Sequence, residues 1–441
     1  MTPNKMMTKY QKMRSIASNV KYDYLIEKHF IRPKHSHYDI LDKYSHRANN
    51  VINASIYQCR QSVFNKRSIG WSQLDSYFKQ ARNKGQANIY SQMPTVHMAQ
   101  QLFKVVGQNF DSWFKAVKAY KVSPDKFTGR PKLPGFKTKG GKSLIIIDNQ
   151  TAKLRNGYVV IPCLNKLTIK LQHQDTDKIQ QVRIIPRFNC FAIEIVYKTN
   201  KTIDYKTDNG RYLGIDPGLD NAFTIATNVK NIEPLAINGR SIKSINHFFN
   251  KRRAKLKSIA DVNHQPMNTK QMFQLSYHRA MKLDRFAHES SKYIVKYALR
   301  HEINTIIIGN NKGLKRSSNM GKRNNQNFIG IPHQKLVEKL IYKANLAGIV
   351  VLTTNESYTS QTSFLDNEEP VKENGNDARK EKGLSPAKRR IHRGLFKSNT
   401  NKLINADVNG ALQIIKKVVP NAFANGIEGV GLHPLKININ F

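Results

Sequence analysis

Apolar residues recur at two different periods along this chain, and the change of period divides it. Leu41, Tyr44, Ala48, Val51, Ser55 and Cys59 fall three and four apart, with Ile52 and Ile56 beside them. That spacing keeps one face of a helix apolar. WSQLDSYFKQAR (71–82) predicts a shorter helix. MPTVHMAQQLFKVVGQNFDSWFKAVKAY (93–120) predicts a long one, with Val96, Ala99, Phe103, Val106, Phe110, Trp113 and Val117 in one stripe. Pro94 stands at its start, where a missing N–H costs least. Residues 38–121 therefore read as a small helical domain whose stripes are core. Residues 1–37 are basic and weakly patterned.

The next segment, KVSPDKFTGRPKLPGFKTKGG (122–142), is a loop punctuated by proline, glycine and lysine. Its restricted backbone and basic side chains suit a grip on phosphates. Short β signals follow in SLIIID, GYVVIP, LTIKLQ, VRIIPRF and CFAIEIVYK. In the last, Phe191, Ile193, Ile195 and Tyr197 alternate with Ala192, Glu194, Val196 and Lys198. Several short strands between turns predict a small antiparallel barrel or sheet over 143–200.

From about residue 206 strands alternate with helices. RYLGID and FTIAT read as a hairpin-like pair around PGLDNA, followed by a basic helix (241–260) and a second one (271–301) carrying Arg279, Lys282, Arg285, His288 and Lys292. Then come the strand INTIIIG, a helix (333–348), the strand IVVLTT, a polar basic segment (361–403) and a final helix from about 406. The alternation predicts a mixed α/β domain, of RNase H-like type if its acids converge.

Charge narrows the function. Lys and Arg number 73 against 30 Asp and Glu, a formal net charge of +43. Self-repulsion on that scale opposes folding, so the natural partner is a polyanion such as nucleic acid. No run of 18 apolar residues offers a membrane span, and the basic N-terminus lacks the apolar core of a signal peptide. The three cysteines, Cys59, Cys163 and Cys190, form no CxxC pair. They give neither a cysteine-rich zinc site nor a disulfide framework, and a cytoplasmic, nucleoid-associated location is expected.

With acids so scarce, an acid at the end of an apolar strand stands out. Asp216 ends the strand in GIDPG, where Pro217-Gly218 turn the chain and leave the carboxylate at the sheet edge. Asp407 in NADVNGALQI starts a helix, a place that also suits an ordinary acid facing the dipole. Phosphodiester hydrolysis with two metals needs such carboxylates to hold a pair of divalent ions, and magnesium prefers oxygen donors.

GIDPG, YTSQTS and INADVNGAL, in that order behind KFTGRPKLPGFK and QQVRIIPR, resemble the TnpB (OrfB) family over about residues 38–415. These are transposon-encoded, RNA-guided nucleases with a RuvC-type RNase H domain, related to type V CRISPR effectors. The resemblance implies a wedge-type β-barrel domain split between 1–37 and 122–205, an inserted helical recognition domain (38–121), and a RuvC-like nuclease domain (206–441). It implies a guide RNA, double-stranded target DNA with a short flanking motif, one or two copies of the chain per RNA, and an Asp-Glu-Asp site for two Mg2+, with Mn2+ as a substitute. By motif, Asp216 is the first of the three and Asp407 the last.

Two departures matter. The family's glutamate ends the central strand, where this chain has Gly309-Asn310-Asn311; a neutral amide offers an oxygen but no charge. Glu356, at the end of IVVLTTNE and just before SYTS, is the expected replacement from the neighbouring strand, with Tyr358 and Thr359 positioning the scissile strand. Glu302 lies at the wrong end of its strand, Asp220 reads as a turn cap, and Glu368 and Glu369 are runners-up. The family's four-cysteine zinc ribbon is also missing: 361–403 contains no cysteine, so no structural zinc is expected and a basic insert takes its place.

Guide RNA and heteroduplex are held mostly through phosphates. The expected contacts are Lys126, Arg130, Lys132 and Lys137 in the proline-punctuated loop, Arg183 and Arg187 in the β segment, and Lys251, Arg252 and Arg253 on the basic helix. Arg389, Arg390, His392 and Arg393 in the zinc-less segment complete the set. Tyr57, Gln61, Gln100 and Gln101 on the helical domain are the candidates for reading the flanking motif, since Gln suits adenine bidentately. Three readings compete: an active RNA-guided DNA endonuclease, a nuclease-inactive RNA-guided repressor of the same fold, and a transposase acting without RNA. The last lacks a tyrosine nucleophile with paired histidines.

Overall fold

A computed structural model of the chain describes residues 8–67, 70–86, 88–172, 178–199, 202–218, 220–266, 269–310, 332–355, 362–369, 390–392 and 394–441. The chain divides into two compact units, Tyr22–Lys201 and Met1–Lys21 with Thr202–Phe441. Helix α1 (Lys9–Ala17), closed by a Thr8/Gln11 capping box, belongs to the latter.

In the 22–201 unit, strand β1 (Tyr24–Ile31) precedes three helices, α2 (Tyr38–Phe64), α3 (Trp71–Asn83) and α4 (Val96–Val122). The stripe of α2 is buried as its period predicts, from Leu41 through Ala48, Val51 and Ile52 to Cys59. On α4 the burial runs from Met98 and Ala99 to Phe110, whereas Val96 is exposed and Trp113 half-buried. Phe103 of α4 stacks on Phe78 of α3 with centroids 5.1 Å apart. Six short strands follow: β2 (Ile145–Asp148), β3 (Lys153–Arg155), β4 (Tyr158–Ile161), β5 (Leu167–Lys170), β6 (Lys178–Arg187) and β7 (Cys190–Lys198).

They form two open sheets, an antiparallel one in the order β1-β7-β6-β2 and a second in the order β3-β4-β5. Among the described residues there is no closed barrel, which corrects the barrel expectation. The reason lies in the core. Ile145, Ile147, Ile184, Ile193 and Ile195 share one apolar cluster with Leu41, Val51, Leu102 and Phe103 of the helices. The helices therefore cover the face that barrel closure would have buried.

The other unit is built on β8 (Tyr212–Asp216), β9 (Asn221–Thr227), β10 (Leu235–Asn238), α5 (Arg240–Val262), α6 (Lys270–Arg300), β11 (Thr305–Gly309), α7 (His333–Leu346) and β12 (Val350–Thr354). It continues with β13 (Arg390–His392), β14 (Leu395–Lys397), β15 (Leu403–Asn405), α8 (Ala406–Val418) and β16 (Leu435–Ile437). A six-stranded sheet runs β12-β11-β8-β9-β10-β16. β8, β9 and β10 meander antiparallel, while β11 and β12 add in parallel on the far side of β8.

Each face has its own core. Leu213, Ile215, Ile306 and Ile308 pack with Phe286 and Ile294 of α6 and Leu336 and Leu340 of α7. Tyr212, Ile307, Val350 and Leu352 pack on the opposite face with Val408, Ala411, Leu412 and Ile415 of α8. The small sheet β13-β14-β15 adds Phe396 and Ile404 to that second core. No helix among the described residues is long and apolar enough to cross a membrane.

Candidate active site

Strand alternation aims the first acid. Leu213 and Ile215 enter one core and Tyr212 the other, so Gly214 and Asp216 face α8. Gly214 permits the close approach of that helix: a Cβ there would run into the carbonyl oxygen of Ala411 and stand 2.7 Å from Cγ1 of Ile415. One pleat further along, the Asp216 carboxylate lies against Gly410, where a Cβ would meet its Oδ2 at 2.7 Å. Asp407 stands three residues before Gly410, one turn closer to the start of the same helix.

The second acid is fixed by amides. Asn221, which opens β9, donates from Nδ2 to Oδ2 of Asp407 at 2.9 Å. Asn405 caps α8, its Oδ1 accepting from the backbone N–H of Asp407 at 3.0 Å and of Val408 at 3.2 Å. Asp216 and Asp407, 191 residues apart, thus reach one end of the sheet, one from a strand tip and one from a helix start whose dipole favours negative charge. Sequence reasoning had not singled out Gly214, Gly410, Asn221 or Asn405; the glycines in GID and NGAL were the available signal.

The vacant strand end lies in the same row. β11 pairs with β8 through Ile308↔Ile215 and with β12 through Gly309↔Thr354. Ile307 packs on the α8 side, so Gly309 faces that way too, next to Asp216. The backbone N–H of Asn310 continues the ladder to the Thr354 carbonyl at 2.8 Å. Glu356, two residues beyond Thr354, lies outside the described residues, as do Tyr358, Thr359, Arg389 and Arg393. Among the described residues no three His, Cys, Asp or Glu side chains form a metal-ligand group.

The end of the YTSQTS motif is tied to the NADVNGAL helix by Asn409, which is fully buried. Its Oδ1 accepts from the Phe364 N–H at 2.9 Å and its Nδ2 donates to the Thr362 carbonyl at 2.8 Å. Lys417 donates to the Asn355 carbonyl at 2.7 Å, holding the end of β12 to α8 as well. The other acids are engaged elsewhere. Asp220 pairs with Lys243 of α5, Glu302 with Arg211 at 2.7 Å before β11 begins, and Glu368 accepts from the Ser363 N–H at 2.7 Å.

Two family models match this unit and the strand that leads into it. Residues 194–315 match OrfB_IS605, a probable transposase, and residues 333–414 match the Cas12f1-like TNB domain. Over these two stretches the chain is similar to the OrfB_IS605 and Cas12f1-like proteins. The first match contains Asp216 and Gly309, the second Glu356 and Asp407. No curated protein matches the chain. Among solved structures, the Cas12f1–sgRNA–target DNA complex shares the fold with a TM-score of 0.51 and 16% identity, over 85% of this chain and 82% of that one. The mini RNA-guided endonuclease CRISPR-Cas_phi3 gives a TM-score of 0.48 and 10% identity over 98% and 99% of the two chains.

The proline-punctuated loop is laid along α2. Asn49 donates to the Thr138 carbonyl at 2.9 Å, Asn53 exchanges bonds with the backbone of Lys137 at 2.8 and 3.1 Å, and Arg60 donates to the Pro134 carbonyl at 3.1 Å. Trp113 of α4 holds Pro131 at 3.3 Å. With its backbone so fixed, the loop turns Lys126, Arg130, Lys132 and Lys137 to solvent. Lys251, Arg252, Arg253, Arg187 and Arg390 are exposed too.

Other predicted contacts are occupied. Arg183 bridges to Glu194 across the β6–β7 pair at 3.2 Å. Gln100 donates to the buried carboxylate of Asp75 at 3.1 Å, part of a network with Tyr90 and Lys79. Tyr57 is exposed on α2, and Gln61 and Gln101 are half-buried.

Proposed function

We propose that this chain is an RNA-guided DNA endonuclease that recognises a short flanking motif and hydrolyses target DNA at a carboxylate site of Asp216, Glu356 and Asp407. One observation carries the reading: the carboxylate of the strand-end acid Asp216 lies against Gly410 of the helix whose first turn carries Asp407, in a chain similar to OrfB_IS605 over residues 194–315. The donor set fits magnesium, since it consists of carboxylate oxygens, and the missing Cβ at Gly410 leaves space beside Asp216. Two such ions, when bound, supply an activated water and stabilise the leaving oxygen. The chain's own residues orient the ligands: Asn221 holds Asp407, and the β8–α8 packing holds Asp216.

Glu356 enters by counting. Thr354 is level with Gly309 and Asp216, and Glu356 follows it by two residues in the sequence. The sheet order supports the RNase H-like reading, with the acids at one end of the β8–β11–β12 run. The exposed basic loop along α2 and the charge of +43 support a nucleic-acid partner.

The vacancy at Gly309 favours a second reading, a nuclease-inactive RNA-guided repressor. Co-expression with the flanking genomic RNA, followed by cleavage of a matched plasmid in magnesium, separates the two. Cleavage by the wild type that is lost in Asp216→Ala and Asp407→Ala supports the endonuclease. Guided binding by a wild type that never cuts establishes the repressor.

A further inference from the structure

Helices α5 and α6 face each other across a pocket of about 290 Å³ that the acid site does not use. Its lining is Ser244, Ile245, Phe248 and Phe249 from α5, and Leu275, His278, Arg279 and Lys282 from α6. The spacing puts each set on one stripe of its helix. Half of the lining is apolar or aromatic, the other half is basic or polar, and no acid takes part. A volume near 300 Å³ with an apolar wall and a few convergent polar groups is the usual character of a small ligand site.

The basic side is anchored. Nε of Arg279 donates to Oδ1 of Asn246 at 2.7 Å, and Asn246 is buried at 3% exposure. The guanidinium stands 4.8 Å from the centre of the Phe249 ring, in cation–π contact. Phe248 does the opposite: its ring is 65% exposed at the mouth of the pocket. Arg252 and Arg253 follow Phe248 and Phe249 by four residues, one turn on along the same faces, and both are exposed. Aromatic surface is thus flanked by cations on both sides, Lys282 on one helix and the arginines on the other.

We propose that this pocket receives one unpaired nucleotide of the guide RNA, its base on Phe248 and its neighbouring phosphates on Arg252, Arg253 and Lys282. Unstacked bases of single-stranded RNA are commonly held on aromatic and arginine planes, with phosphates on nearby cations. A second copy of this chain fits worse. An acid-free face on a chain of charge +43 repels its own kind and attracts a polyanion. The inference rests on the RNA-guided reading above.

The test uses the full chain purified with its guide RNA and chemical probing of the RNA at single-nucleotide resolution. Phe248→Ala should weaken RNA binding about 5- to 150-fold, the range for losing one base–aromatic stack, and unmask one unpaired nucleotide. Phe248→Trp should keep both affinity and protection. Because Phe248 is exposed, the RNA-free melting temperature of both variants should match the wild type. Unchanged affinity and probing pattern in Phe248→Ala overturn the inference and leave the RNA-guided reading standing. So does protection of target DNA alone, or loss of a dimer in sedimentation without any change on RNA. A wild type that purifies without RNA overturns both.

Discussion

The carboxylate of Asp216 rests against the α-carbon of Gly410, so the first acid of the site depends on a missing side chain in the helix that carries the last. Gly410→Ala should therefore separate activity from stability. The new Cβ meets only the far end of Asp216, which can swing aside at little cost, and alanine favours the helix by about 1 kcal/mol. Stability should stay within about 1 kcal/mol of wild type. Cleavage should fall by about 100-fold, because a displacement near 1 Å is enough to cost that much. Full cleavage by Gly410→Ala would show that Asp216 does not work from this position.

Gly214 is a contrast, because its neighbour is backbone. A Cβ there runs into the Ala411 carbonyl and crowds Ile415, and neither can yield without moving α8 off the sheet. Gly214→Ala should cost about 3 kcal/mol or more and lower the unfolding midpoint in urea together with activity. A variant with wild-type stability would mean that α8 does not pack as described.

Asn409→Ala tests the tie between two motifs. The substitution strands the Phe364 N–H and the Thr362 carbonyl in a buried setting, at about 1–3 kcal/mol for each group left unpaired. Hydrogen exchange should show the 362–366 segment opening while β8 and β11 stay protected. Uniform loss of protection, or none, would sink this assignment.

The ionic cluster between α6 and α7 gives a pH dependence. Burial and the Lys339 ammonium, 2.5 Å from Nε2, lower the pKa of His288, against the opposing pull of Asp284. A group whose pKa is lowered on folding binds more protons when unfolded, so stability falls as pH drops below about 6.5, the ordinary imidazole value. For Asp284, burial works to raise the pKa but is outweighed by its hydrogen bond from Lys335 and the charges of Lys339, Lys335 and His288, which lower it. Its contribution is complete above the ordinary carboxylate range and is lost only at more acid pH. Between pH 7 and 5.5 the melting temperature of the wild type should decline, and His288→Gln should flatten that decline. Parallel curves would rule His288 out as the titrating group.

Much of this was legible in the chain because it followed from period. The α2 stripe and the β8–β9 hairpin came from apolar spacing, the adjacency of β11 and β12 from the expected RNase H-like sheet, and Asp216 and Asp407 stood out because acids are rare. Strand β1 and helix α1 were missed: β1 alternates weakly, with Glu27 buried and Ile26 exposed, and its place is set by pairing with β7, 174 residues away at the Tyr24↔Lys198 end. Gln100 was read as a base reader because spacing alone does not reveal that Asp75 of another helix claims its amide. The close approach of β8 to α8 is likewise a tertiary fact, visible in the sequence only as two glycines without a stated purpose.

The last prediction concerns the empty end of β11. Gly309 lies level with Thr354 and beside Asp216, on the face toward α8, so a carboxylate at 309 would emerge next to Asp216 on the α8 side of the sheet. If Glu356 supplies that charge from the next strand, Glu356→Ala should reduce cleavage by about 100-fold or more while leaving RNA-guided binding intact, since losing one of three ligands removes charge from the metals but no contact with phosphates. Adding Gly309→Glu in the same chain should restore part of the cleavage, because the lost charge returns one strand over in the same row. Wild-type cleavage by Glu356→Ala would refute the exchange. Recovery with Gly309→Asp but not Gly309→Glu would place the metals nearer the strand, within reach of the shorter side chain only.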